Sequence, residues 1–571
     1  MLTPNHKRKN RTYLKRVYFI KRSFLPLLLA IDKMGLVKPL EKGINSLLRL
    51  AGIHKDVHYF FKYKDFARLF TKNFLPEPPG QDIILFPMQT SVNGNIPLIN
   101  LLFSRYFNRY ENLKPVFLVC DAALPICSKD GILKSRLAHP LFCQECWRGY
   151  PHISELTGID IKYFSDFLKG EDDRLKDLQL KLDEIKTLQD CEDICFGDLP
   201  VGKLCRKSVL RYLLRGKFSG SEEEVSIFRS FISSVSHYSF MLEAYLDSNP
   251  QIKYMIIHNG TLAFEASARW HATKRGIPYM TYETFLGQNS LIYKKNGEVM
   301  TLDWSERYNS FLENFALDEK ARYNADSFFY DLRRGTILHS VLNTEHTAKK
   351  FKGIGQYACL FTNLNFDTAV LDRNGIFESM EDWIYSVIDY WENEINDLKL
   401  VIRIHPAEIK LITASTEFMA DKLKSHVVNS EKIIIIEPNE KVNSYELIKD
   451  MEFGLVYSST IGLEIAYHEK VCVVAGLPYF KGKPFLLSPS SSYDYFSTIK
   501  ALCLNQLSFS IDRDELIRTI NFIYFNRMKK LNGIKVYTPM EEPVTDFISA
   551  DDMINANLDF FNDFRDELFS E

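Results

Sequence analysis

Between residues 357 and 474 the chain carries five short, continuous apolar runs, in "YACLFTNL", "DLKLVIRIHPAE", "KIIIIEPNE", "EFGLVYSSTIGLEIA" and "KVCVVAG", with helical segments between them. A strand with one face in water alternates apolar and polar residues, so an unbroken run marks a strand buried on both faces. Such strands, alternating with helices, build a parallel sheet covered on each side. In sheets of this kind ligands bind outside the carboxyl ends of the strands. The residues just past each run are therefore the ones to read for chemistry.

The same alternation occurs upstream. "EPPGQDIILFPMQTSVNGNIPLINLLFSRYF" reads as a proline-rich linker, a buried strand at Ile83 to Phe86, a loop containing Gly94 and a helix, and the strand "PVFLVCD" follows. It returns in "YMIIHNGTLAFEASARWHATKRGIPYMTYE", where a strand at 254 to 257 leads into Asn259 and Gly260, then a helix, then Gly276 and Pro278 before the next strand. Residues 170 to 250 and 318 to 350 have helical spacing. The expected organisation is a basic N-terminal segment (1–50), a first α/β domain with a helical insertion (51–317) and a helical linker (318–350). A second α/β domain (351–510) and C-terminal helices (511–571) complete it.

A chain of 571 residues, 46% apolar and 25% charged, is long enough for two such cores. Its net charge of −2 gives no general attraction for nucleic acid, which is not expected as a partner. Ten cysteines in so long a chain do not form the dense framework of a small secreted domain, and a reducing cytosolic setting is expected. The apolar run "FLPLLLAI" at 24 to 31 is far below the ~20 residues that span a bilayer. It follows a basic stretch holding Lys7, Arg8, Lys9, Arg11, Lys15, Arg16, Lys21 and Arg22, which suits either an anionic membrane surface or a frayed basic tail.

Two of the second-domain strand ends carry chemistry. "LVIRI" ends at His405 and Pro406, with Glu408 beyond, and Arg403 and His405 fall on one side of the strand. Arginine donates two parallel hydrogen bonds to a phosphate, and histidine donates one or transfers a proton. The strand "GLV" passes Tyr457 into three hydroxyl residues, Ser458, Ser459 and Thr460, after which Ile461, Glu464 and Ile465 have helical spacing. The open N–H groups of a helix start favour an anion, and hydroxyls beside them add donors. One hydroxyl suffices for an N-cap. Three, with Gly462 to admit a close approach and an Arg-x-His-Pro on another strand of the same sheet, point to a nucleotide phosphate site, where Glu464 would reach ribose hydroxyls.

In this order and spacing, "RIHPAE", "NSYELI", "YSSTIGLEIAYHEK" and "VAGLPYFKGKPF" resemble the C-terminal half of bacterial capsule and surface-polysaccharide glycosyltransferases, and the first-domain stretch from 258 to 283 is similar to that group as well. The resemblance implies a GT-B-like fold: two Rossmann-like domains facing a central cleft, with helical insertions and terminal helices, the donor nucleotide being held mainly by the second. It implies a nucleotide-sugar donor, a glycan or lipid-linked glycan acceptor, no cofactor, and work at the cytoplasmic face of the plasma membrane. The His-Pro and Ser-Ser pairs are similar to motifs that bind CMP in transferases using CMP-sialic acid or CMP-Kdo, so His405, Ser458 and Ser459 would contact donor phosphate. The chain departs from that pattern at Pro484 and Phe485, where no glycine-threonine pair follows, which leaves UDP- and GDP-linked donors open.

The acceptor should enter from the first domain. Glu283, in "TYETFLG" beside Gly287, is a candidate base for deprotonating an acceptor hydroxyl, Asp121 at the end of "VFLVCD" is its competitor, and Asn259 with Gly260 would line the same cleft. For either carboxylate the alternative is a loop residue that caps a helix. Cys120, Cys127, Cys143 and Cys146 contain one C-x2-C pair compatible with structural zinc, although Cys120 follows a buried strand and suits the core. The competing functions are a sugar-nucleotide epimerase, a CDP-glycerol-type glycerophosphotransferase, and a non-catalytic subunit of polysaccharide assembly.

Overall fold

The computed structural model describes residues 81–87, 96–121, 123–127, 154, 157–167, 173–286, 289–301, 305–333, 355–410, 418–429, 431–534, 547 and 549–570. The basic segment 1–50, Gly94, Gly287, Cys143 and Cys146 lie outside the described residues. Two sheets organise the chain. The first contains β1 (Ile83–Pro87), β2 (Lys114–Val119), β3 (Asp160–Tyr163), β4 (Ile252–His258), β5 (Tyr279–Thr284) and β6 (Ser290–Lys295). The second contains β7 (Tyr357–Phe361), β8 (Lys399–Arg403), β9 (Ile433–Ile436), β10 (Phe453–Val456) and β11 (Val471–Val474), and β12 (Lys529–Lys530) returns to the first.

The spatial orders are β12-β6-β5-β4-β1-β2-β3 and β11-β10-β7-β8-β9. Strands β1 to β5 and β7 to β11 are parallel, while β6 and β12 run antiparallel at one edge. In each parallel set the first strand sits in the middle and the chain winds outward in both directions. The winding reverses between β1 and β4 in the first sheet and between β7 and β10 in the second.

The continuous apolar runs are explained by two-sided burial. In the second sheet Ala358, Leu360, Leu400, Ile402, Leu455 and Val473 pack on one face, beneath Trp383, Val387 and Trp391 of the Met380–Glu394 helix. Their alternates Cys359, Phe361, Val401, Val456 and Val474 pack on the other, with Leu447, Ile465 and Leu516. A one-residue slip of register would exchange the two sets, so packing on both faces fixes the strand ends, and with them the loops at the carboxyl edge.

The helix Glu319–Arg333 lies in the expected interdomain stretch and packs into the second core through Ala321, Ala325, Phe328 and Phe329. The C-terminal region divides between the two halves. The helix Arg513–Ile520 packs on the second core, then β12 pairs with β6 and the helix Leu558–Phe569 covers the first sheet. There Phe560, Phe561 and Phe564 surround Phe103, with the Phe103 and Phe564 ring centroids 4.3 Å apart. Arg105 and Arg109 both engage Asp551 nearby. Phe564→Ala should lower stability by about 3–5 kcal/mol, the cost of emptying a buried aromatic site, measured by urea unfolding. A loss below about 1 kcal/mol would mean that this helix is not an integral layer of the first core.

Candidate functional site

The loop after β7 organises the carboxyl edge of the second sheet. Thr362 Oγ1 accepts from the His405 N–H at 3.0 Å, which ties in the end of β8. Asn363 Oδ1 accepts from the Ser458 N–H at 3.4 Å, and Ser458 Oγ donates to the Ala369 carbonyl at 2.9 Å, which ties in the end of β10. The Ile376 N–H donates to the Ala475 carbonyl at 3.3 Å and the Leu477 N–H to the Arg373 carbonyl at 3.2 Å, which ties in the end of β11. Gly375 is needed here, since a Cβ at that position would stand 2.1 Å from the Ala475 oxygen.

His405 and the hydroxyl run thus flank β7, about two strand spacings or ~10 Å apart, beside the reversal in winding where α/β sheets bind ligands. Burial lowers the His405 imidazole to about 4, with Asp367 opposing the shift, so it is neutral at pH 7. Its Nδ1 accepts from the Ala407 N–H at 3.2 Å, and a neutral ring that accepts through Nδ1 carries its proton on Nε2. His405 therefore offers an uncharged N–H donor.

The other residues at these strand ends are placed more deeply. Arg403 is 2% exposed and donates to the Glu437 carbonyl at 2.7 Å and towards that of Val442 at 3.5 Å, bracing the loop after β9. Glu408 accepts from the Met419 N–H at 2.7 Å and caps the Met419–His426 helix. Ser459 Oγ lies 3.4 Å from the Ile461 N–H, while Thr460, the N-cap of the Ile461–Tyr467 helix, makes no side-chain cap bond. The close neighbour of Gly462 is the Phe480 ring, which a Cβ would meet at 3.1 Å, so this glycine serves packing within the protein.

Glu464 is 7% exposed, and burial raises its carboxyl to about 7 against the opposing effects of Tyr445 and Arg333.

Sequence reasoning passed over Arg373. Burial lowers its guanidinium, which makes no hydrogen bond or ion pair among the described residues, with Glu298 and Asp367 acting only at longer range. Its signal in the sequence was faint, an arginine within the irregular stretch "TNLNFDTAVLDRNG" with no periodicity to mark it.

In the first half, Asn259 and Gly260 follow β4 with φ of 63° and 78°, and a Cβ on Gly260 would clash with Thr281 Cγ2 at 2.6 Å. Asn259 Nδ2 donates to Glu283 Oε2 at 2.6 Å, so the structure brings these two expected residues together. Burial disfavours the Glu283 charge, but His258, Asn259 and the Thr284 N–H outweigh it and hold the carboxyl well below its usual range. Asp121 lies elsewhere: its carboxylate accepts from the Ser165 N–H and hydroxyl, and burial pushes its carboxyl up. With β1 and β4 between their strands, Asp121 and Glu283 are roughly 14 Å apart. Cys120 and Cys127 are part-buried, Cys120 against the first core, and among the described residues no cluster of three or more His, Cys, Asp or Glu could hold a metal. No helix among the described residues is long and apolar enough to cross a membrane.

The two carboxyl edges meet. Phe285 and Leu286, just past β5, pack against the second core, and a Cβ on Gly216 would touch Asn365 in the β7 loop. The Arg206–Asp372 and Lys217–Asp382 pairs, at 3.4 and 2.9 Å, cross the recess between the halves.

The architecture is a two-sheet α/β protein broadly consistent with a GT-B-like arrangement. Residues 304–485, under half the chain but including β7 to β11, match the family described as capsule polysaccharide biosynthesis protein. No curated protein matches the chain in sequence. Among solved structures it is similar to the Thermosulfurimonas dismutans KpsC beta Kdo 2,4 transferase, at 13% identity and a TM-score of 0.34, over 49% of this chain and 82% of that one. The beta Kdo 2,7 transferase of the same organism gives 12% and 0.32, over 56% and 89%. The UDP-GlcNAc 2-epimerase of Neisseria meningitidis, bound to UDP-GlcNAc, gives 12% and 0.25, over 77% and 98%. Structural likenesses this weak decide nothing about substrate or reaction.

The buried Glu464 carboxyl gives a pH test of the site. Its folded value of about 7 lies above its ordinary 4.5, so its contribution to stability is fully present below about pH 4.5 and is lost as pH rises through 7. Glu464→Gln should match the parent below pH 4.5 and exceed it above pH 8 by up to about 3 kcal/mol in urea unfolding. A variant less stable than the parent at both pH values would mean that the carboxylate is well solvated or paired.

Proposed function

We propose that the chain is a glycosyltransferase of surface-polysaccharide synthesis, moving a sugar from a nucleotide donor, CMP-linked by preference, to a capsule or related glycan acceptor. The observation that carries this reading is the placement of a neutral His405 and the Ser459–Thr460 helix start on either side of β7 at the winding reversal of the second sheet. The family match over residues 304–485 supports it, because it covers the loops after β7, β8 and β10 and most of the loop after β11.

In this reading the two sheets are the Rossmann-like pair of a GT-B enzyme, and donor phosphate rests against His405 Nε2–H, the Ser459 and Thr460 hydroxyls and the Arg373 fork. These donors would stabilise the charge that grows on the departing phosphate. Ser458, Arg403 and Glu408 act from behind by holding the loops in place. For a ribose contact, Glu464 would exchange its hydrogen bond with Tyr445 for one to the sugar. Asn259, Gly260 and Glu283 line the acceptor side, and the basic N-terminal segment would rest on the inner membrane surface.

CMP should raise the thermal midpoint of the protein more than UDP or GDP does, since only a ligand of the folded state stabilises by mass action. His405→Ala and Arg373→Ala should each weaken CMP binding at least tenfold, about 1.4 kcal/mol, with the fold unchanged by circular dichroism. Stabilisation by UDP alone would replace the CMP preference. No response to any nucleotide would remove the transferase reading in favour of an assembly subunit.

A further inference from the structure

His258 is the last residue of β4, at the reversal of winding in the first sheet, the position where such sheets place ligands. Its Nε2 lies 3.4 Å from Glu283 Oε1, buried and without a hydrogen-bond partner, and its side chain is 21% exposed. The other ring nitrogen, Nδ1, makes no hydrogen bond among the described residues and, unlike Nε2, is open to solvent.

Glu283 is largely occupied. Oε2 accepts from Asn259 at 2.6 Å, and Oε1 accepts from the Thr284 N–H and hydroxyl at 2.7 and 2.9 Å. A carboxylate offers about four acceptor sites, so little remains of Glu283 beyond what faces His258. Held so firmly in its ionised form, it is also a weak base. The Asn259 turn, fixed by the bond from the Thr261 N–H to Asn259 Oδ1 at 2.9 Å, sets the carboxylate rigidly beside the ring.

Resting on the transferase reading above, we infer that His258 takes the proton of the acceptor hydroxyl through Nδ1, and that Glu283 is a positioning residue that holds Nε2–H. In the step, the acceptor O–H proton moves to Nδ1 while the oxygen's electron pair forms the bond to the donor's anomeric carbon. The bond from that carbon to the donor phosphate breaks, and its electron pair leaves on phosphate. The imidazolium then returns its proton to solvent. The 3.4 Å gap to Glu283 closes to a hydrogen bond with a shift of roughly 0.4 Å, a tightening common when substrate binds. Besides Glu283, the ring of Tyr282 lies against His258 with the centroids 5.4 Å apart, and Arg269 on the following helix is bonded to the Gly260 carbonyl two residues on.

Four variants test this: His258→Ala, His258→Gln, Glu283→Gln and Glu283→Ala. Both His258 variants should lose about 10²-fold or more in kcat while the CMP-induced thermal shift stays that of the parent. Glu283→Gln should retain more turnover than either, because the ring stays in place and loses only the carboxylate that orients it. His258 variants within threefold of the parent, or a Glu283→Gln variant more impaired than both, would overturn the assignment. Histidine-labelled protein gives a readout that needs no donor. The His258 resonances, assigned by their loss in His258→Gln, should show the Nε2–H tautomer in the parent and a loss of that preference in Glu283→Ala. An Nδ1–H tautomer in the parent, or an unchanged tautomer balance in Glu283→Ala, would overturn it even if the donor is misidentified, whereas a parent protein that binds no nucleotide would sink the transferase reading alone.

Discussion

Burial of the second sheet on both faces governs the rest of this molecule. With Ala358, Leu360 and Leu455 committed to one layer and Cys359, Phe361 and Val456 to the other, polar groups are displaced to the strand ends. Winding outward from β7 brings four of those ends together at one edge. The loop after β7 joins them through Thr362, Asn363, Ala369, Arg373 and Ile376, by side-chain and backbone hydrogen bonds of modest individual worth, about 1 kcal/mol each. Removing any one leaves the others in place, so the edge is rigid as a set.

The same burial determines the electrostatics of that edge. A desolvated imidazole gives up its proton, which makes His405 a neutral donor. A desolvated guanidinium keeps its charge, so Arg373, without a partner among the described residues, is a cation suited to an anionic ligand. Across the recess, Glu283 is held ionised by His258, Asn259 and Thr284 while Asp121 is pushed towards its neutral form, and in the second half burial does the same to Glu464. Carboxyl groups that look alike in sequence therefore differ in charge because of what surrounds them.

The sheets were legible in the sequence because two-sided burial writes itself as unbroken apolar runs, and each of the five runs from "YACLF" to "VCVV" is a strand. The hydroxyl run and His405 were legible as strand ends for the same reason. Depth was not legible. Nothing in "LVIRIHPAE" distinguishes Arg403, bonded to backbone carbonyls, from His405, and nothing near Gly462 indicates that Phe480 fills the space beside it. Arg373 sits in irregular chain, where no period reveals its surroundings. The Asn259 and Glu283 partnership spans two strands, and only their parallel pairing brings His258 beside Glu283. The split of the C-terminal helices between both halves depends on the aromatic layer over Phe103, a tertiary feature without local signal.

The most direct test is a crystal structure of the protein with CMP. The phosphate should lie in the crevice between the ends of β7 and β10, within hydrogen-bonding distance of His405 Nε2 and the Ser459–Thr460 turn. Electron density for the nucleotide at any other place, with His405 Nε2 bonded to a protein group, would contradict the account.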